Sequence, residues 1–288
     1  MIIKKRSGFT LVELSLSLVF IATLSLIIAL LISNTVSSYQ KGLILKQVNT
    51  LGMDIVDDMR SAIQGSSTKS LTSDCGSFYN NNASIVSCES RGGREFATMT
   101  KTGSVQISSG KAEKSNVPLY GAFCTGRYSY IWNSGYFFTT KVEGYPKITG
   151  ASKASFKYGT GSGTTISDFR LLKIRDDNRA VCISANSMTG DIIDITSFGN
   201  AVSETPVDLL KSQELGLAIY NMTASTPVSS AAINSVFYTV SFILGTVQGG
   251  VDITASGNFC ATPNDYKDEN FDYCAINKFN FAARAIGD

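Results

Sequence analysis

The sequence predicts an α+β protein in which a long N-terminal α-helix packs on an antiparallel β-sheet head domain with disulfides. Three observations predict this fold. Residues 9–32 are almost entirely apolar, and residues 44–63 repeat apolar side chains at helical spacing. Later segments read as short strands separated by turn residues, and that part of the chain also contains six cysteines.

The apolar run indicates a helix that crosses a membrane. Lys4, Lys5 and Arg6 precede it, and Glu13 is the one charge between Phe9 and Ile32. Such a helix is about 36 Å long, against about 30 Å of hydrocarbon. Since basic residues stay on the cytoplasmic side, the remainder of the chain is predicted to lie outside.

A cleaved secretory signal is the first alternative. It would be cut after the apolar core, where Val36-Ser37-Ser38 is only a weak candidate site. A carboxylate within the apolar core, Glu13, also argues against a signal peptide.

Residues 7–13 read Ser-Gly-Phe-Thr-Leu-Val-Glu and lead into the apolar helix. This segment closely resembles the class III leader of type IV pilins and pseudopilins. The resemblance covers about 30 residues closely. It implies a leader peptide over 1–8, a prepilin peptidase cut between Gly8 and Phe9, and N-methylation of Phe9. It also implies that 9–33 is a transmembrane and polymerisation helix.

The same resemblance assigns Glu13 to assembly, as the fifth residue of the mature chain. The carboxylate would meet the amine of Phe9 on a neighbouring subunit, since a charge in low dielectric needs a partner. Before assembly we expect Glu13 to be unpaired. The alternative is that Glu13 only reaches the lipid headgroups.

Residues 34–64 are predicted to continue the helix in amphipathic form. One stripe is apolar; its members are Ile44, Val48, Leu51, Ile55, Met59 and Ile63. Gly42 and Gly52 mark positions where the helix can bend. Beyond it, 65–288 is predicted to form an exported, β-rich globular head.

The cysteines predict disulfides, because their number is even and the domain is exported. They are Cys75, Cys88, Cys124, Cys182, Cys260 and Cys274, with no Cys-x-x-Cys pair that would suggest zinc or redox chemistry. Fifteen pairings are possible. We favour Cys75–Cys88, Cys124–Cys182 and Cys260–Cys274, since the first and last close short loops.

Within the head, residues 128–132 and 135–140 are predicted to be aromatic strands joined by a turn at 133–135. The glycine-rich segment 159–165 is predicted to be a hairpin loop, because no lysine follows to make a phosphate-binding loop. Residues 205–222 are predicted to be a short helix beginning at Thr205-Pro206. The aromatic side chains of 128–138 are assigned mainly to the core, and any exposed rings to a ligand-facing surface.

Composition excludes several functions. The chain has no histidine, so histidine-dependent triads, dyads and zinc sites are impossible, and we predict no enzyme activity. A net charge of +2 does not suggest a nucleic-acid surface. No cofactor is predicted beyond a candidate Ca²⁺ site, for which solvated surface acids are the favoured interpretation. Its four acids are Asp265, Asp268, Glu269 and Asp272.

The resemblance implies a structural subunit of a type IV pilus-like filament that serves assembly, adhesion, motility or DNA uptake. The large head favours a minor pilin. Implied partners are other pilin subunits, the prepilin peptidase, the assembly platform, the membrane before assembly and an unidentified surface ligand. The implied location is the inner or cytoplasmic membrane, then the extracellular filament.

Three alternatives remain open from the sequence. The nearest are a major pilin and a pseudopilin of type II secretion. The third, of a different class, is a single-span anchored binding domain or hydrolase that never polymerises.

Overall fold

The protein is described here from a computed structural model. It describes residues 10–65, 85–91, 94–106, 113–125, 127–138, 147–149, 155–159, 163–176, 181, 192–194, 204–210, 216–225, 236–247, 251–254, 257–260 and 274–285.

The predicted long helix is confirmed. Helix α1 is a single element of 54 residues, Leu11–Gln64, and is about 80 Å long at 1.5 Å per residue. Thr10 caps its start, and at its end the amide of Gly65 donates to the carbonyl of Ser61 at 2.9 Å.

Fifteen strands and one short 3-10 helix follow among the described residues. In chain order the strands are β1 (Ile85–Arg91), β2 (Arg94–Gln106), β3 (Glu113–Cys124), β4 (Tyr128–Asn133), β5 (Lys147–Thr149), β6 (Ser155–Tyr158), β7 (Thr164–Ile166), β8 (Leu171–Arg175), β9 (Ile192–Asp194), β10 (Val207–Asp208), β11 (Leu217–Ser225), β12 (Val236–Thr246), β13 (Val251–Thr254), β14 (Gly257–Cys260) and β15 (Ile276–Ala285). The 3-10 helix, Gly135–Phe137, follows β4.

Two antiparallel sheets form most of the head. The larger has seven strands in the order β1-β2-β3-β4-β8-β10, with β5 pairing to β2. The smaller has the order β11-β12-β15. These pairings confirm the predicted α+β class. A third sheet, β7-β6-β9, departs from the prediction of antiparallel pairing, because β6 and β9 run parallel. Strands β13 and β14 form a separate antiparallel pair.

The apolar core is divided by the larger sheet. One cluster joins the covered part of α1 to the three-stranded sheet and to one face of the larger sheet, through side chains such as Met59, Phe242 and Trp132. The second cluster lies on the other face, with Ile131 and Phe156 among its members. Since neighbouring strand residues point to opposite faces, Ile131 and Trp132 contribute to different clusters.

At Gly52 the helix backbone lies directly against an aromatic side chain of strand β15. A Cβ atom there would lie 2.0 Å from Cζ of Phe279 on β15. Gly52 therefore provides room for an aromatic ring, whereas the sequence suggested a bend. Nothing lies within 4 Å of a Cβ at Gly42.

The predicted helix over 205–222 is wrong at the residues that are described, 205–210 and 216–222. Residues 207–208 are strand β10, and residues 217–225 are strand β11, which pairs with β12 along its length. Pro206 suggested a helix start, but a partner strand some twenty residues further along the chain determines the structure. Because β11 is buried on both sides from Leu217 to Tyr220, its run of apolar residues carries no strand-like alternation.

The predicted strand over 135–140 is also wrong where it is described. Ser134 caps the 3-10 helix by accepting from the amide of Tyr136, so β4 does not turn back on a following strand. Gly135 lies against the ring of Tyr220, where a Cβ would be 2.2 Å from Cζ. The partners of β4 are β3 and β8. By contrast, the predicted hairpin at 159–165 is confirmed, since β6 and β7 pair antiparallel around it.

Candidate functional site

The first half of α1 is not covered by any part of the chain that the structure describes. Every residue from Thr10 to Val36 is exposed, including the large apolar side chains between Leu11 and Ile32. Within the described residues, α1 is the one helix long and apolar enough to cross a membrane. These properties fit single-pass membrane anchoring.

Glu13 lies in the first turn of this exposed half and completes a capping box with Thr10. The carboxylate oxygen Oε2 accepts from the backbone amide of Thr10 at 3.0 Å and from its hydroxyl at 2.9 Å. In return, the amide of Glu13 donates to Oγ1 of Thr10 at 3.3 Å.

This geometry adds a feature that the sequence did not predict for Glu13. We expect the carboxylate to lack a charge partner before assembly, and in the single chain it accepts two hydrogen bonds from Thr10. The expected partner, the amine of Phe9 on a neighbour, stays a prediction because Gly8 and Phe9 lie outside the described residues. Assembly would therefore have to add a charge partner to an acid that already caps its helix.

The second half of α1 is covered by the head along the predicted stripe. Five of the six predicted positions are buried, and Leu51 is half-buried. The buried set also contains Gly52, Val56 and Ala62. The covering side chains come mainly from β15, where Phe279, Phe281, Ala283 and Ala285 alternate with exposed residues.

An ionic contact joins α1 to the larger sheet at Asp58. Lys173 Nζ lies 2.6 Å from Asp58 Oδ1, and the hydroxyl of Tyr130 donates to Oδ2 at 2.8 Å. Lys173 Nζ also lies 4.5 Å from the centre of the Tyr128 ring. Burial, and next the negative charge of Asp58, raise the pKa of Tyr130 above its ordinary value. We call these residues the Asp58 junction; no sequence pattern pointed to them.

Two polar contacts join α1 to β15. Asn277 Nδ2 donates to Asn49 Oδ1 at 2.7 Å, and the guanidinium carbon of Arg60 lies 5.8 Å from the centre of the Phe281 ring. With Gly52 under Phe279 between them, the helix and the last described strand touch over several turns. The helix is therefore held by contacts to two sheets of the head, the larger sheet and the sheet β11-β12-β15.

One predicted disulfide is present. Cys260 and Cys274 are bonded, with their Cα atoms 5.9 Å apart. The bond links the end of β14 to the segment that leads into β15. Cys124 is disulfide-bonded too, but the predicted partner, Cys182, lies outside the described residues. Cys75 also lies outside them, and for Cys88 only the backbone, in β1, is described.

The candidate calcium acids, Asp265, Asp268, Glu269 and Asp272, all lie outside the described residues. Within the described part of the chain, no cluster of three or more acidic or cysteine side chains could hold a metal ion.

The aromatic segment 128–138 is mostly core, as predicted. Tyr130, Trp132 and Tyr136 are buried. The half-buried Phe138 faces the guanidinium of Arg170, whose central carbon is 5.4 Å from the ring centre. Few ring faces therefore remain for a ligand in this segment.

A second functional-looking acid, Asp176, has a structural role. Its carboxylate is buried and accepts from the hydroxyl of Ser129 at 2.8 Å and from the amide of Val181 at 3.0 Å. The carboxylate thus connects the end of β8 to β4 and to residue 181. No pattern in the sequence predicted this burial.

No known family model, curated protein or solved structure matches this chain.

Proposed function

We propose that the protein is a structural subunit of a type IV pilus-like filament, and specifically a minor pilin. In this proposal, a prepilin peptidase cuts before Phe9, the new amine is methylated, and α1 moves from the membrane into the filament. Other pilin subunits and the assembly platform are its partners, and the filament serves adhesion, motility or DNA uptake.

The continuous helix α1 is the observation that carries the proposal. One half is apolar and exposed on all sides, and the other half is docked on a β-rich head. A plain membrane anchor needs only enough apolar residues to span the bilayer. An uninterrupted rod of about 80 Å that carries the head on one side suits packing between many subunits.

The choice of a minor pilin is supported by the size of the head, about 220 residues beyond the helix. Glu13 supports a position within the helical stack, since the resemblance assigns this acid to contacts between subunits. We propose a structural role and no enzymatic one, because no histidine is available for acid–base or metal chemistry.

A pseudopilin of type II secretion is the second candidate, because the leader resemblance does not separate the two families. Deleting the protein and measuring secretion, transformation and twitching distinguishes them. A major pilin is separated by its abundance in sheared filaments.

Mass spectrometry of the mature amino terminus tests the proposal. We expect a chain that begins at N-methylated Phe9. A Gly8→Asp variant is the control, because it alters the cleavage position and should leave the longer chain. A mature chain beginning at Met1 would indicate a plain anchor, and one beginning near Tyr39 would indicate a cleaved signal peptide; either result overturns the proposal.

A further inference from the structure

Two buried polar atoms of the larger sheet have no hydrogen-bond partner among the described residues. They are Oγ1 of Thr100 on β2 and Nε1 of Trp132 on β4. Thr100 is 4% exposed and Trp132 is fully buried. Because a buried donor or acceptor without a partner costs free energy, most such atoms in folded proteins bond to other protein groups or to ordered water.

The register of the sheet places these two atoms in one row. Thr100 pairs with Gly121 on β3, and Gly121 pairs with Trp132 on β4. Residues directly opposite each other in neighbouring strands point to the same face, so all three positions share one face of the sheet. Gly121, in the middle, has no side chain to separate the other two. We call these three residues the Gly121 row.

The span of the Gly121 row suits one small molecule. Neighbouring strands lie about 4.8 Å apart, so the backbones at Thr100 and Trp132 are about 10 Å apart. The two side chains project from the same face, and an indole is long enough to extend over the strand beside it. Two hydrogen bonds to a shared water span up to about 5.6 Å. The two atoms do not bond to each other directly.

The surroundings of the row favour a neutral ligand. Trp132 belongs to the apolar cluster that also contains Leu171 of β8 and Ile219 of β11. These aliphatic side chains accept no hydrogen bond from an indole N–H. The row itself carries no ionisable side chain. A water molecule fits this pair of atoms, because it can accept from the indole and donate to the hydroxyl oxygen.

We infer that the Gly121 row binds one internal water molecule, which accepts a hydrogen bond from Nε1 of Trp132 and donates one to Oγ1 of Thr100. Two protein partners are within the range that buried waters use. This water lies in the interior of the head, so its presence does not depend on the proposed function.

Nuclear magnetic resonance observes the water directly. Trp132 is the only tryptophan, so isotope-labelled tryptophan in the detergent-solubilised full chain gives a single indole N–H signal. We expect a cross-peak between this proton and water. The cross-peak should persist in Thr100→Ser, which keeps the hydroxyl, and should be lost in Thr100→Val.

Urea unfolding of the full chain provides a second measurement, followed by circular dichroism so that variants without the tryptophan can be compared. Thr100→Val removes one partner of the water and leaves the indole without an acceptor, so the urea midpoint should fall. Thr100→Ser should stay closer to the unsubstituted chain. If the hydroxyl had no partner, Thr100→Val would instead remove an unsatisfied polar group and raise the midpoint.

A double substitution shows whether the two side chains share one ligand. In the Trp132→Phe background the indole donor is absent, so Thr100→Val should lower the midpoint much less than it does in the unsubstituted chain. Thr125→Val is the matched control, because the buried hydroxyl of Thr125 donates to the carbonyl of Tyr128 at 3.0 Å. Tyr128 lies about 13 Å from Trp132 along β4, so this control should have the same effect in both backgrounds.

Three results would each overturn the shared water. They are a higher midpoint for Thr100→Val, an equal loss from Thr100→Val in both backgrounds, and no cross-peak between the indole proton and water in the unsubstituted chain. A lower midpoint that depends on Trp132, together with the cross-peak, supports it. The mature amino terminus decides the proposed function separately, and none of these results bears on it.

Discussion

The two halves of α1 have the same secondary structure but opposite surroundings. From Leu11 to Ile32 the helix is apolar on every side and exposed on every side. From Ile44 to Ile63 it is apolar on one stripe, and that stripe is buried under the head. The described part of the chain leaves the first half without cover. The second half obtains its cover mainly from β15, more than 200 positions further along the chain.

This difference predicts that buried and exposed positions of the same helix contribute differently to the stability of the head. Substitutions on the docked stripe should change the free energy of unfolding of the head. Substitutions at exposed positions of the helix should leave that free energy nearly unchanged. Trp132 is the only tryptophan and is fully buried in the docked core, so its fluorescence reports unfolding of the detergent-solubilised full chain.

The largest effect is expected at Met59, which is fully buried on the docked stripe. Met59→Ala should lower the free energy of unfolding by about 2–5 kcal/mol, because it leaves a cavity between helix and sheet. Met53→Ala, at an exposed position of the same helix, should change the free energy of unfolding by less than about 0.5 kcal/mol. Denaturant unfolding followed by Trp132 fluorescence measures both; equal losses would contradict the separation.

Gly52→Ala should follow, with a loss of about 1–3 kcal/mol, because the added methyl group would overlap the Phe279 ring. Gly42→Ala is the control within the same helix. No atom lies near its Cβ, so the higher helix propensity of alanine should stabilise by up to about 1 kcal/mol. The same unfolding measurement applies, and a stabilising Gly52→Ala would show that the ring moves aside freely.

Asp58→Ala should cost about 1–2 kcal/mol, because the buried hydroxyl of Tyr130 would lose its acceptor. The ion pair with Lys173 adds little, since its side chains are 23% and 32% exposed. Asp57→Ala, one position away, removes a well-exposed carboxylate and should have no measurable effect on unfolding. A shift in thermal midpoint for Asp57→Ala as large as that for Asp58→Ala would show that the junction does not hold the helix.

The Asp58 junction also predicts a pH dependence. The pKa of Tyr130 is raised in the folded protein, while the unfolded side chain loses its proton near pH 10.0. The native state then holds more protons than the unfolded state, so this contribution is complete below pH 10.0 and is lost as pH rises further. The slope is about 1.4 kcal/mol per pH unit.

Tyr130→Phe should remove this alkaline loss, at the cost of one hydrogen bond at neutral pH. Tyr39→Phe changes an exposed tyrosine of the helix, so this variant should keep the alkaline loss of stability. Urea midpoints at about pH 9 and about pH 11 provide the measurement. If Tyr130→Phe loses as much stability between these pH values as the unsubstituted chain, another group causes the effect.

The smallest effect on unfolding is expected at Glu13, in the half that the head does not cover. Glu13→Ala should leave the head folded and the chain inserted in the membrane, but should reduce its incorporation into filaments. Glu13→Gln separates two causes, because glutamine can still complete the capping box but carries no charge. If Glu13→Gln assembles as well as the unsubstituted chain, capping suffices and the charge pair with Phe9 is not required.

Local patterns predicted the parts of this structure that local physics controls. The helix, its buried stripe and the β6–β7 hairpin depend on residues close in sequence, and so does the bond between Cys260 and Cys274. Spacing and turn chemistry are sufficient signals for such elements.

The failures involve partners that are distant in sequence. Asp58 contacts Tyr130 and Lys173, which are 72 and 115 residues away, and nothing near it distinguishes it from Asp57. Pro206 is a plausible helix start, but pairing with β12 makes 217–225 a strand. Gly52 has the same sequence signal as Gly42, and only the Phe279 ring on β15 gives it a different role.

The docking of β15 on α1 also determines the order in which the chain can fold. The helix is synthesised first, but Asn49 and Asn277, which bond to each other, are 228 residues apart. The β15 side of the docked stripe must therefore stay uncovered until almost the whole head has been made. Contacts between residues so far apart in sequence form slowly, because the chain loses conformational entropy in closing the loop before the contact buries apolar surface. During that interval the apolar stripe of the helix is exposed, so a newly made chain is most open to misassembly before strand β15 is in place.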